Sequence, residues 1–145
     1  MRWIKNSNFY QLRLERDEEI LTTLVEFVRK KKIKSGLIFG LGAGRDFVLG
    51  YYHLEKKVYH RRRLRAEYEI CSLVGNIAWD KDEPVCHIHA VLSNQKMATA
   101  GGHLFAGRVA ATCEIAIIPG TGLVRRELEP DTGLKLLQLN LKPAG

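Results

Sequence analysis

The chain has 145 residues, 46% of them hydrophobic and 27% charged, with a formal net charge of +7. That length predicts one domain with its own core. The opening Met1–Ser7 lacks the apolar stretch of a signal peptide, and no run approaches the ~20 apolar residues of a membrane span. The expectation is a cytoplasmic protein without a membrane partner.

Taken in chain order, Phe9–Leu14 reads as a first strand. Asp17 then reads as an N-cap for an amphipathic helix, because Ile20, Leu21, Leu24, Phe27 and Val28 recur at helical spacing. Arg29, Lys30, Lys31 and Lys32, with Lys34, close that helix, where cations complement the helix dipole without needing any ligand. Ser35–Leu41 is a continuous apolar strand. Gly42-Ala43-Gly44 is expected to break it into a tight hairpin, with Phe47–Leu54 returning as its partner. A phosphate loop is the weaker reading of these glycines, since no G-K-[ST] and no helix follow. Lys57–Arg65 and Ala66–Val74 read as strands, and Asn76–Trp79 as a further short one. The turn Asp80–Pro84 precedes Val85–Leu92, Arg108–Ile118 is a long strand, and Leu134–Leu141 a last one, with Lys142–Gly145 loose. Many strands with one main helix predict a single α+β domain, a largely antiparallel β-sheet packed against that helix.

The chemistry concentrates in His87–Leu104, HIHAVLSNQKMATAGGHL. Strand side chains alternate between faces, so His87 and His89 share one face. A hairpin brings His103 back to them, which gives three imidazoles and leaves the open position of a catalytic-type zinc site. Other divalent transition metals suit imidazole as well. Gly101-Gly102 allows a sharp turn or a close backbone approach that aims His103. Glu69 and Glu114 are candidates for a group supporting the metal ligands or for a general base, or else for ion pairs with arginines such as Arg65 and Arg108. Asn76 reads as a polar strand end or a turn. Neither Ser72 nor Ser93 has the strand-turn-helix setting of a nucleophile. Cys71, Cys86 and Cys113 read as buried reduced thiols, with Cys86 facing away from the histidine pair. Arg61, Arg63 and Arg65 fall on one face of a strand and are candidate nucleic-acid contacts.

The order H-x-H-A-V-L-S, G-G-H-L, G-x-V and C-E-I-A-I closely resembles the PPC family (plants and prokaryotes conserved domain, the DUF296 type). Upstream, Gly40-Leu41-Gly42-Ala43, Leu49-Gly50-Tyr51-Tyr52 and the run Tyr68–Ile77, YEICSLVGNI, extend the resemblance over roughly residues 10 to 120. It implies the same α+β fold, assembly as a homotrimer, and a metal, zinc first, on His87, His89 and His103.

Two functions follow from the resemblance and the charge. The first is a DNA-associated or regulatory binding module. Plant members of the family carry AT-hooks and contact other proteins, and prokaryotic members are described as predicted DNA-binding proteins. Lacking an R-G-R-P hook, this chain would bind DNA weakly and with strong salt dependence, through its net charge and its arginine strand. The second is a metal-dependent lyase or hydrolase acting on a small acidic molecule. Its basis is that the three histidines are similar to the zinc site of acetolactate decarboxylase; only those three are matched, and the enzyme's other catalytic residues are not placed in this sequence.

Overall fold

A computed structural model describes residues 1–139. The expectations for Leu141 and for Lys142–Gly145 lie outside the described residues. The elements are β1 (Arg2–Lys5), β2 (Tyr10–Leu14), α1 (Ile20–Lys31), β3 (Ser35–His53), β4 (Val58–Leu64), β5 (Tyr68–Asp80), β6 (Glu83–Ser93), β7 (Thr99–Gly120), β8 (Arg125–Glu129) and β9 (Leu134–Gln138). The expected α+β class and single main helix are present. The sheet is antiparallel apart from one parallel bridge, Trp79 to Arg125.

Strands β3, β5, β6 and β7 pair in a closed circuit: β3 with β5, β5 with β6, β6 with β7, and β7 with β3. Inside it lie Ile38, Leu73, Ile77, Ile88, Leu92, Leu104, Ile115 and Ile117, all essentially without solvent contact. The buried stripe of α1, formed by Ile20, Leu24, Phe27 and Val28, belongs to the same core. Each such side chain contributes about 1.5–3 kcal/mol on leaving water.

Several local expectations are corrected. The helix N-cap is Glu19, whose carboxylate accepts from the Thr22 N–H at 2.6 Å. Asp17 sits earlier, at φ 70°, and its N–H donates to Val109 O. The Val109 N–H in turn donates to Glu18 O, so these bonds to β7 keep the segment out of the helix until Glu19. The helix then ends as expected, with Arg29, Lys30 and Lys31 in its last turn.

Gly42-Ala43-Gly44 does not reverse the chain. It bends β3, which continues through register shifts to pair with β7 on one side and with β4 on the other. Gly42 has φ 151°, and a Cβ there would stand 2.3 Å from Thr112 O. Glycine therefore permits close approach of two strands here, not a turn. Asn76 likewise lies within β5, which is one strand and not two. Cys71 is exposed, while Cys86 and Cys113 are buried. A register shift between Ile70 and Ser72 resets the alternation of β5 and turns Cys71 outward.

The outer face of the circuit is apolar. Leu37 and Phe39 on β3, Val74 on β5 and Ile118 on β7 stay exposed and are register neighbours. Val74 is also the partner of His89, so the histidines lie at the edge of this face.

Candidate metal centre

The hairpin of β6 and β7 sets His89 directly opposite His103, and His87 lies two residues along the same face. Ring centroids are 5.3 Å apart for His87 and His89, 4.9 Å for His87 and His103, and 5.5 Å for His89 and His103. One nitrogen from each ring lies within 4.8 Å of the others. Nitrogens sharing one tetrahedral zinc stand roughly 3.3 Å apart, so modest side-chain rotation closes the set.

Burial, first, and then the charges of Arg126 and the other imidazoles push His87 down to about 4. His103 is pushed to about 4 by burial, then by His89, Arg126 and Arg61. Both rings are therefore neutral near pH 7, the form that ligates metals. His103 Nδ1 is buried and has no hydrogen-bond partner among the described residues. An orphaned lone pair or N–H at this place fits a site made for a further group. Three converging imidazoles, His87 and His103 held neutral, with one orphaned nitrogen fit a divalent transition metal. Burial drives the Cys86 and Cys113 thiols up to about 12, so neither offers a thiolate.

The glycine pair before His103 acts by close approach. No positive φ and no turn occur at Gly101 or Gly102. A Cβ on Gly102 would stand 2.7 Å from Gly50 O, whereas one on Gly101 would meet Ala90 O at an ordinary 3.4 Å. Gly50 is itself the register partner of His103, so Gly102 lets β7 seat against β3 where the third imidazole is placed.

The surroundings include residues that the sequence reading did not single out. Tyr59 stacks 5.2 Å from His103, and Phe105 lies 4.6 Å from it. Arg126 on β8 is 9% exposed and reaches the cluster from the last hairpin. It donates to Asn76 Oδ1 at 2.7 Å and to Lys135 O at 2.8 Å, and its Nη2 lies 3.0 Å from His87 Nδ1. A guanidinium only donates, so in this contact His87 Nδ1 accepts and the ring proton sits on Nε2. Asn76 is thus an anchor for Arg126. Neither its distance in sequence from the histidines nor the polarity of β8 marked Arg126 in advance. The only local signal is an arginine in a strand-like run, Arg125–Glu129.

Glu69 and Glu114 are both exposed, neither lines the histidine pocket, and neither pairs with an arginine among the described residues. Glu69 lies opposite Ser93 and Ala43, and Glu114 opposite Leu41 and Arg13. Arg108 instead donates to Asp17 O. Arg61 and Arg63 lie on β4, which among the described residues pairs only with β3, and Arg65 follows the strand. All three are exposed, and the Arg61 guanidinium lies 3.8 Å over the Phe105 ring. The arginine strand therefore borders the histidine pocket. No helix of the described chain is long and apolar enough to cross a membrane.

The sequence matches the Plants and Prokaryotes Conserved (PCC) domain over residues 4–120. A candidate DNA-binding protein from Bacteroides thetaiotaomicron superposes with a TM-score of 0.91 at 26% identity, over 94% of this chain and 96% of that one. A metal-containing protein from Archaeoglobus fulgidus gives a TM-score of 0.86 at 34% identity, over 93% of this chain and 96% of that one. A plant- and prokaryote-conserved protein from Pyrococcus horikoshii gives 0.81 at 29% identity, over 97% and 96%. No curated protein sequence matches the chain. With the family's domain matched across most of the sequence and the fold shared with a member over nearly the whole chain, this chain belongs to the Plants and Prokaryotes Conserved domain family.

Proposed function

We propose that this chain is a cytoplasmic, homotrimeric binding module that holds zinc on His87, His89 and His103 and associates with DNA. The observation that carries the metal is the convergence of three imidazoles, two of them neutral by burial, on one place. The metal-containing Archaeoglobus relative supports it. Zinc held by three imidazoles keeps a fourth position for an oxygen ligand. The residues' own part is to hold β6 against β7 and to keep His87 and His103 at the pocket that Arg126 also lines.

The exposed apolar face around Leu37, Phe39, Val74 and Ile118 supports assembly with further copies, because such a patch is costly in water. A trimer built through it would bring three histidine clusters close to its seams.

DNA association rests on the net charge of +7 and on Arg61, Arg63 and Arg65, exposed beside one another. The Bacteroides relative's description supports it. Contacts of this kind bind phosphates and read no sequence. The test is fluorescence anisotropy with a labelled duplex across a salt series. The expected result is weak binding whose log–log salt slope falls by about 0.9 for each arginine replaced by alanine. Absence of binding at low salt, or an unchanged slope in the triple variant, contradicts the DNA role.

A further inference from the structure

Among the described residues, Arg126 is a buried cation without an anion. Its three contacts, Asn76 Oδ1, Lys135 O and His87 Nδ1, are all neutral acceptors, and its Nε–H is buried with no partner among the described residues. Buried charges in proteins are paired as a rule, because an unpaired one forfeits its hydration without return. Among the described residues no carboxylate lines the pocket, which is bounded by Tyr59, His87, His103, Phe105, Arg126 and Leu134 among others. Arg61 adds a second positive charge at its edge. The cavity holds about 230 Å³.

We propose that this pocket binds a small carboxylic acid, with its carboxylate on Arg126 and a short apolar substituent against Phe105 and Leu134. The Nε–H and Nη2–H of a guanidinium form the side-on fork that grips a carboxylate with two parallel hydrogen bonds. Here Nε–H has no partner among the described residues, and Nη2 is engaged with Asn76 and His87. The inference extends the metal reading in one respect. A metal taken at His87 Nε2 requires the tautomer with the proton on Nδ1, which ends that nitrogen's acceptance from Arg126. The Nη2–H released completes the fork, so metal and carboxylate favour each other's binding. Arg126 lies on the last hairpin, beyond the residues 4–120 matched by the family domain.

The test is calorimetric titration of isobutyrate into the zinc-loaded and the zinc-free protein, with isobutyramide and inorganic phosphate as comparison probes and with zinc content measured on the same samples. The expected result is saturable isobutyrate binding, no binding of the uncharged amide, and at least tenfold weaker binding in Arg126→Met. Asn76→Asp, which places a carboxylate beside the guanidinium while preserving side-chain shape, should also weaken isobutyrate binding, and it keeps the test valid if Arg126→Met fails to fold. Equal isobutyrate binding in the wild type and both variants overturns the proposal. So does binding of phosphate but not isobutyrate, or no binding of isobutyrate at all. Failure of the metal reading has a different signature: no zinc uptake, with Arg126-dependent isobutyrate binding intact.

Discussion

Adding one methyl group at each of two adjacent glycines should have opposite consequences. At Gly102 a Cβ would lie 2.7 Å from the Gly50 carbonyl oxygen, a backbone atom that cannot rotate away. Ordinary contact begins near 3.4 Å, so β7 must withdraw from β3 by roughly 0.7 Å at the register pair Gly50–His103. Overpacking of that kind costs about 1–3 kcal/mol. For a domain of this length each kcal/mol shifts the melting temperature by about 3–5 °C, so Gly102→Ala should melt about 3–15 °C lower. At Gly101 the nearest atom would be Ala90 O at 3.4 Å, and φ is not in the left-handed region. Gly101→Ala should therefore be neutral, or stabilising by up to about 1 kcal/mol through the lost freedom of the unfolded chain. The assays are thermal unfolding of the metal-free proteins and zinc affinity by chelator competition. Gly102→Ala should also bind zinc more weakly, because the strand that carries His103 has moved. Equal melting and equal zinc affinity in the two variants would refute the close-approach argument.

Metal-free stability should depend on pH through His87 and His103, whose protonation falls to about 4 in the fold from an ordinary 6.5. Between those values the unfolded chain binds more protons, so stability is fully present above about pH 6.5 and is lost as pH falls towards 4. Urea midpoints at pH 7 and 4.5 should differ less in a His87→Gln/His103→Gln variant than in the wild type, and an equal difference would contradict the assignment. The apolar outer face makes a separate prediction. Phe39 is 42% exposed, about 80 Å² of ring surface, and covering it is worth about 2 kcal/mol per subunit. Phe39→Glu together with Val74→Lys should convert the proposed trimer to monomer by light scattering, without loss of secondary structure.

The histidine cluster was legible because strand alternation and a hairpin are local rules. His87 and His89 share a face by period two, and only a short loop separates them from His103. The class of fold was legible for the same reason. The errors arose where a local pattern admits two meanings. Gly42-Ala43-Gly44 has the composition of a turn, but the close strand partners at Thr112 and Cys113, distant in sequence, make it a bend. Cys71 lies in an apolar run, and only the register shift beside it decides which way it faces. Asp17 is a good capping residue whose backbone is instead held by Val109. Arg126 was out of reach because the β8–β9 hairpin joins the rest of the sheet through a single parallel bridge to Trp79, and no periodicity in the sequence encodes that contact.

The most direct test of the central claim is the metal content of the untagged protein beside a His87→Ala/His89→Ala/His103→Ala variant, by elemental analysis after reconstitution and desalting. The account predicts about one zinc per chain in the wild type and none in the variant. No metal in the wild type, or equal metal in both, would contradict it.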